Sequence, residues 1–304
     1  MDTPATLCCD CAVIGAGPGG LAAAIYLARF NRQVLVFGEG TPRAAYSPRN
    51  RNYPGFPEGI TGRELLEQFA SQADRFQVQR MPYVVTELER EGDCFRVRAE
   101  ELVVEARRVI LATGLCDLWP DVENIQELAG SHVRVCPICD AYETNGKRVG
   151  IVGCGDKVAR EALYLRCFAQ EVVLFSNGLE EERPICAELM SRLDADGIRR
   201  YPGLIERMEP VDENALVVCL EDGSEVRCDL VFSALGVRVN SGLATALGAK
   251  ADEDGYLETD RWQQTTVPGL YAVGDVTSSI NQVTVAVGQA AVAATAVHNG
   301  LLDF

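Results

Sequence analysis

The sequence predicts an α/β protein of two nucleotide-type units, and three observations carry that prediction. The chain has 304 residues, of which 47% are apolar and 24% charged, enough for a sizeable core and for more than one domain. The segment "CAVIGAGPGGLAAAIYLARFNRQVLVF" joins a β-branched strand, a glycine turn, an alanine-rich helix and a second strand. Residues 148–175, "RVGIVGCGDKVAREALYLRCFAQEVVLF", repeat that order. A strand–turn–helix–strand unit of this kind sets its glycine turn at the carboxyl edge of a parallel sheet, the Rossmann arrangement.

Charge narrows the choice of partner. The formal net charge is -16, from 28 basic and 44 acidic residues. Such a surface repels nucleic acid and anionic membrane, and a phosphate-rich ligand needs local groups that offset the field. The start of the chain runs directly into the first strand and shows no signal segment. The apolar run "AVAATAVHNGLLDF" is too short to span a bilayer. A cytoplasmic location is expected, and with it reduced thiols, most of them buried, among the 12 cysteines. Cys8, Cys9 and Cys11 are close in sequence, but Cys11 lies in the apolar strand and no second pair or histidine is near, so no metal is expected there.

The elements follow in chain order. Gly15 permits the first tight turn, Gly17 lets a pyrophosphate approach the backbone at the helix N-terminus, and Gly20 allows close helix–strand packing. A mere tight turn is the alternative. Glu39, just after the second strand and Gly38, is the candidate ribose ligand. "RRVILATG" (107–114) is a strand that ends in a small-residue turn, closing β-rich material that begins near Ala99. "ALVVCLEDGSEVRCDLVFSALG" is β-rich too, with "EDGS" as a hairpin turn. "VPGLYAVGDV" (267–276) is another strand and turn, ending on Asp275, which either accepts from a ribityl hydroxyl or caps a helix. A further helix is expected to begin near Gln282. Together these parts support a flavoprotein.

Cys136 and Cys139 enclose Pro137 and Ile138. That spacing suits half a zinc site, a dithiol/disulfide pair or two inert thiols. Zinc wants four ligands, and His132 with the two cysteines leaves the set one short. The flavin context favours redox chemistry, in which one thiolate attacks a disulfide and the second cysteine resolves it. Asp140 follows directly, as a proton donor or a helix cap.

The stretches "GAGPGGLAAAIYLAR", "NYPGFPEGITGREL", "ILATG", "CPICD", "GIVGCGDKVAREALYL", "VFSALG" and "GLYAVGDV" resemble, in order and spacing, low-molecular-weight thioredoxin reductase, over nearly the whole chain. The resemblance implies a discontinuous FAD-binding domain, 1–117 and 240–304, with a domain at 118–239 inserted into it. In the family that inserted domain binds NADPH and carries the cysteine pair, and the protein is a homodimer. Carried to the matching motifs, the resemblance implies FAD contacts at Gly15, Gly17, Pro18, Gly20, Glu39, Asn52, Thr113, Gly114, Gly274, Asp275, Gln282 and Val283. It also implies that Cys139 meets the flavin, Cys136 meets the partner disulfide, and Asp140 protonates the departing thiolate.

Departures from the family concentrate in the second unit. Its turn reads Gly153, Gly155 and then Val158, whose branched side chain crowds helix against strand or pushes the helix N-terminus back. Asp156 inside the turn opposes a diphosphate unless it is protonated or paired. Where the family has a basic cluster for the 2'-phosphate, this chain has Ser176, Asn177 and Gly178, followed by Glu180, Glu181 and Glu182 with only Arg183 opposed. Those glutamates either repel a phosphate or form a solvated loop, and in both cases the phosphate clamp is gone. Nearer the flavin, "TPRAAYSPRNRNYPG" replaces a Gly-Gly-Gln-Leu-like segment. Tyr46 is there a flavin shield or a surface residue, and Arg43, Arg49 and Arg51 offset the FAD diphosphate or meet an acidic partner.

The expected activity is therefore an FAD-dependent disulfide oxidoreductase that reduces a thioredoxin-like protein without NADPH in the usual mode. Ferredoxin, or a second FAD in the inserted domain, is the expected donor. The alternatives are a dithiol oxidase that passes electrons to O2, and a non-catalytic flavin-bound redox sensor.

Overall fold

The computed structural model describes residues 7–302. The chain divides into two compact units: one runs to Cys116 and resumes at Arg238, and the other is Asp117–Val237.

The first unit is built on a sheet whose central strand, Leu7–Ile14, lies parallel to Val34–Phe37 on one side and Leu102–Leu111 on the other. Gln79–Met81 extends the sheet beyond Val34–Phe37. The ten residues of Leu102–Leu111 serve two neighbours on their other edge. The first half pairs antiparallel with Cys94–Ala99, and the last three residues pair parallel with Leu270–Ala272. Val13, Leu27, Ile110 and the alanines of Pro18–Arg29 and Val283–Asn299 form one apolar layer. Small side chains let these two helices lie close to the sheet and to each other. The opposite layer holds Phe37, Phe95, Leu111 and Leu257. Cys9 and Cys11 are buried in the central strand, and burial pushes the Cys9 thiol up to about 12.

The second unit repeats this plan. Its parallel sheet runs Arg199–Tyr201, Glu171–Phe175, Arg148–Val152, Leu230–Ser233, Val133–Arg134. Helix Asp156–Arg166 follows the glycine turn, and Ala187–Ala195 packs beside it. The other face is covered by the meander Ile205–Asp212, Ala215–Leu220 and Glu225–Cys228, with Met208, Leu216 and Val226 in the core. The Glu221–Ser224 connection forms the expected hairpin turn. Phe175 and Phe232 are fully buried, and each such ring contributes about 2–3 kcal/mol through apolar burial.

The chain passes between the units at two places, Leu115–Asp117 and Val237–Val239, and these short strands pair with each other. Hydrogen bonds flank the pair: Leu118 N–H donates to Gly236 O at 2.9 Å, and Asn240 N–H donates to Gly114 O at 3.0 Å. Among the described residues, no helix is long and apolar enough to cross a membrane.

Candidate active site

At the first glycine turn, two of the three glycines answer to packing. Gly15 has φ +116°, and a β-carbon there would run into the Ala112 carbonyl; one on Gly20 would strike the Gly15 carbonyl. Gly17 differs, because a β-carbon on it would meet nothing nearer than Pro42 Cβ, at 3.9 Å. Gly17 precedes the helix Pro18–Arg29 without a side-chain cap, and the first turn of that helix carries no acid. Pro18 supplies a φ already suited to the first helical position. Room, uncapped N–H groups and the positive end of a 12-residue helix are what a diphosphate uses. Glu39 lies exposed two residues past the end of the second strand.

Three further places that the sequence singles out belong to the same unit. Thr113 Oγ1 donates to Asn240 O at 2.7 Å, and Asn240 Nδ2 donates to Thr113 O at 3.0 Å, which fixes the Thr113–Gly114 turn. Asp275 follows Leu270–Ala272 inside the single turn Gly274–Val276 and caps no helix. Gly274 N–H donates to Gln289 Oε1 at 2.7 Å, while Gln289 Nε2 donates to Thr277 Oγ1 at 3.2 Å, so helix Val283–Asn299 holds the turn. Asn52 Nδ2 donates to Gln282 Oε1 at 2.9 Å, and Gln282 occupies the N-cap position of that helix just before Val283.

Arg43, expected to offset the FAD diphosphate or to meet an acidic partner, is paired within its own unit. Its guanidinium donates to Asp275 Oδ2 at 3.0 Å, with both side chains largely shielded. Arg49 instead donates to Glu58 O at 2.9 Å. Tyr46 is 43% exposed.

In the inserted unit, Cys136 and Cys139 form a disulfide, their Cα atoms 5.3 Å apart. Pro137 starts the one-turn helix Pro137–Asp140. The turn brings Cys139 N–H to 3.2 Å from Cys136 Sγ, so the N-terminal sulfur receives a backbone donor. Asp140 makes no side-chain capping bond and lies 3.9 Å from Arg134 Nη1, its carboxylate 14% exposed. His132 is engaged elsewhere, with Nε2 at 2.7 Å from Asp212 O.

The second glycine turn is covered by its own chain. Asp156 opens helix Asp156–Arg166 and accepts Cys186 N–H at 2.8 Å. That N–H, with Arg160 one turn on, holds the Asp156 carboxyl below the usual carboxylate range. A β-carbon on Gly155 would lie 3.5 Å from Arg183 Cβ, and the Arg183 guanidinium donates to Leu235 O at 3.1 Å. Ser176 donates its hydroxyl to Glu180, and Glu180 also accepts Gly203 N–H at 3.3 Å. Asn177 Oδ1 accepts Ile205 N–H at 3.1 Å. The acidic run thus splits: Glu180 turns inward, while Glu181 and Glu182 are exposed. Val158 is 3% exposed and fills space between the helix and Gly153. The helix still begins directly after Gly155, so the crowding expected of Val158 is taken up in the core.

The family model described as pyridine nucleotide-disulphide oxidoreductase matches residues 9–290. The chain belongs to the pyridine nucleotide-disulphide oxidoreductases. It is 30% identical over 298 residues to a thioredoxin reductase of Bacillus subtilis (strain 168), covering 95% of this chain and 94% of that one. Among solved structures, the crystal structure of HlmI is similar at TM-score 0.88 and 33% identity, covering 99% of this chain and 94% of that one. Thioredoxin reductase from Streptococcus pyogenes MGAS5005 is similar at TM-score 0.90 and 28% identity, covering 98% and 99%.

As a pyridine nucleotide-disulphide oxidoreductase, the chain is an FAD-binding, thioredoxin-reductase-like enzyme with a Cys-Cys redox pair. The first unit fits FAD on its own geometry, through the Gly17 cradle and the uncapped helix. Sequence reasoning missed Asn240, Gln289 and Arg134. Asn240 carries a local signal, the turn-forming Asn-Ser-Gly where the chain re-enters the first unit. Gln289 carries none, since it sits among alanines and valines of an apolar helix.

Proposed function

We propose that this enzyme exchanges electrons between FAD and the Cys136–Cys139 pair, reduces a thioredoxin-like protein, and takes its electrons from a donor other than NADPH bound at the second glycine turn. The observation that carries the reading is the Ser176–Cys186 segment lying on Gly155 and Asp156. A diphosphate needs the space beside Gly155 and the first N–H groups of the helix. Arg183 borders the first, and the Asp156 carboxylate puts negative charge at the second. The same cover counts against a second FAD there, which leaves a donor, such as ferredoxin, that reaches the FAD of the first unit directly.

FAD held by the first unit would supply the electron pair that reduces the Cys136–Cys139 disulfide to two thiols. The Cys136 thiolate then attacks the partner disulfide, and one partner sulfur leaves as thiolate. Asp140, held beside Arg134, gives that sulfur a proton. Cys139 attacks Cys136 Sγ, re-forms the disulfide and releases the second partner sulfur. Two electrons and two protons pass to the partner in each turnover. Ile138, between the two cysteines and 55% exposed, and Tyr142, three residues past Cys139 and 77% exposed, offer apolar contact to that protein.

The covered turn equally favours the opposite flow as a second reading, in which a dithiol is oxidised at Cys136/Cys139 and O2 takes the electrons. One anaerobic experiment separates these readings: titration of the oxidised protein with NADPH, NADH, reduced ferredoxin and a dithiol, with flavin counted per chain. The expected result is one flavin, no bleaching by either pyridine nucleotide, and bleaching by ferredoxin. Fast bleaching at micromolar NADPH would refute the first reading; bleaching by dithiol alone, reversed by air, would establish the second.

A further inference from the structure

The Arg43–Asp275 pair joins two turns that are 232 positions apart in sequence. Pro42 Cβ stands 3.9 Å from the point where a β-carbon on Gly17 would lie, so the Arg43 segment borders the diphosphate cradle. Its guanidinium reaches Asp275 Oδ2 at 3.0 Å, with 24% of the arginine side chain and 20% of the aspartate exposed. The site therefore collects negative charge: Asp275, the two charges of an FAD diphosphate, and the background of a chain at -16. Charges this poorly hydrated are screened less than surface charges, so a cation among them has a large effect.

We propose that Arg43 is the cofactor's counter-charge: it neutralises Asp275 and the FAD diphosphate together and positions the Gly274–Val276 turn for the ligand. A planar guanidinium suits this double duty, because it presents several donors in a fixed fork to carboxylate and phosphate oxygens. FAD affinity then depends on a residue outside the glycine turn, supplied by the segment "TPRAAYSPRNRNYPG". This inference rests on FAD binding alone and not on the identity of donor or partner.

The test is FAD affinity of the deflavinated full chain, followed by flavin fluorescence, for the native protein, Arg43→Gln and Arg43→Lys. Arg43→Gln is expected to weaken FAD by about tenfold or more at about 0.05 M salt, and to keep most of that loss near 1 M, because salt screens a partly buried pair little. Arg43→Lys is expected to weaken FAD by about threefold, less than Arg43→Gln, because the charge is kept while the fork is lost. Affinity of Arg43→Gln within about twofold of native would overturn the counter-charge role. Should Arg43→Gln fail to fold by circular dichroism, Arg43→Lys still decides: a loss as large as about tenfold would show that geometry, not charge, is required. A native chain that binds no FAD would instead refute the flavin assignment itself.

Discussion

Glu161 lies half-buried on helix Asp156–Arg166, where burial pushes its carboxyl above the ordinary range and Lys157, one turn earlier, pulls it back. A raised carboxyl binds its proton more tightly in the folded state, so stability falls as pH rises from the unfolded value through the raised one. Replacing it by Gln removes that loss. Glu161→Gln is therefore expected to melt about 1–3 °C higher than the native chain at pH 7, the difference vanishing at about pH 4. Thermal melts at the two pH values check the sign. At the redox pair, Cys139→Ser is expected to leave FAD bound while lowering disulfide turnover by about a thousandfold or more, because no second thiol resolves the mixed disulfide. Loss of flavin from that variant would show that the pair is structural.

Between elements, the contact of most consequence is Gln289, whose amide holds Gly274 N–H from helix Val283–Asn299. Gln289→Met keeps the helix and the volume but leaves that N–H without its acceptor. The expected cost is about 1–2 kcal/mol of stability, with FAD bound more weakly because the Asp275 turn loosens; denaturation of apo and holo protein measures both. Elements were also what the sequence showed most clearly. Each glycine turn followed a β-branched run and preceded a helical pattern, and "EDGS" announced its hairpin, because these signals are local. Long-range contacts left no such trace. Arg43 meets Asp275 across 232 positions, and Asp156 meets Cys186 across 30, so the sequence named the first as a cation and the second as a carboxylate in need of a partner without naming either partner. Val158 was legible as a departure, but its accommodation depended on the volume that neighbouring core residues leave, which no short motif records.

For the molecule as a whole, the charge of -16 acts on any protein partner before contact is made. An acidic carrier such as ferredoxin is repelled at low salt, and the pairing of Arg43 with Asp275 removes one cation that could have drawn it in. Turnover with an acidic partner is thus expected to rise about two- to tenfold as salt goes from about 0.01 M to about 0.15 M, shortening the Debye length from about 30 Å to about 8 Å. Initial rates across that range measure it, and a fall in rate would reveal a basic docking surface that overrides the net charge.

The paired crossings Leu115–Asp117 and Val237–Val239 have a different implication. Both ends of the inserted unit leave from neighbouring strands, about 5 Å apart in the hydrogen-bonding direction. It is thus wired as a cassette. A splice from Cys116 to Arg238 through a short glycine linker bridges the gap without stretching the first sheet, whose strands and helices all lie outside the excised stretch. The same wiring makes the cysteine-bearing module transplantable: it can be exchanged for a relative's while the flavin scaffold that receives it keeps every residue of its own.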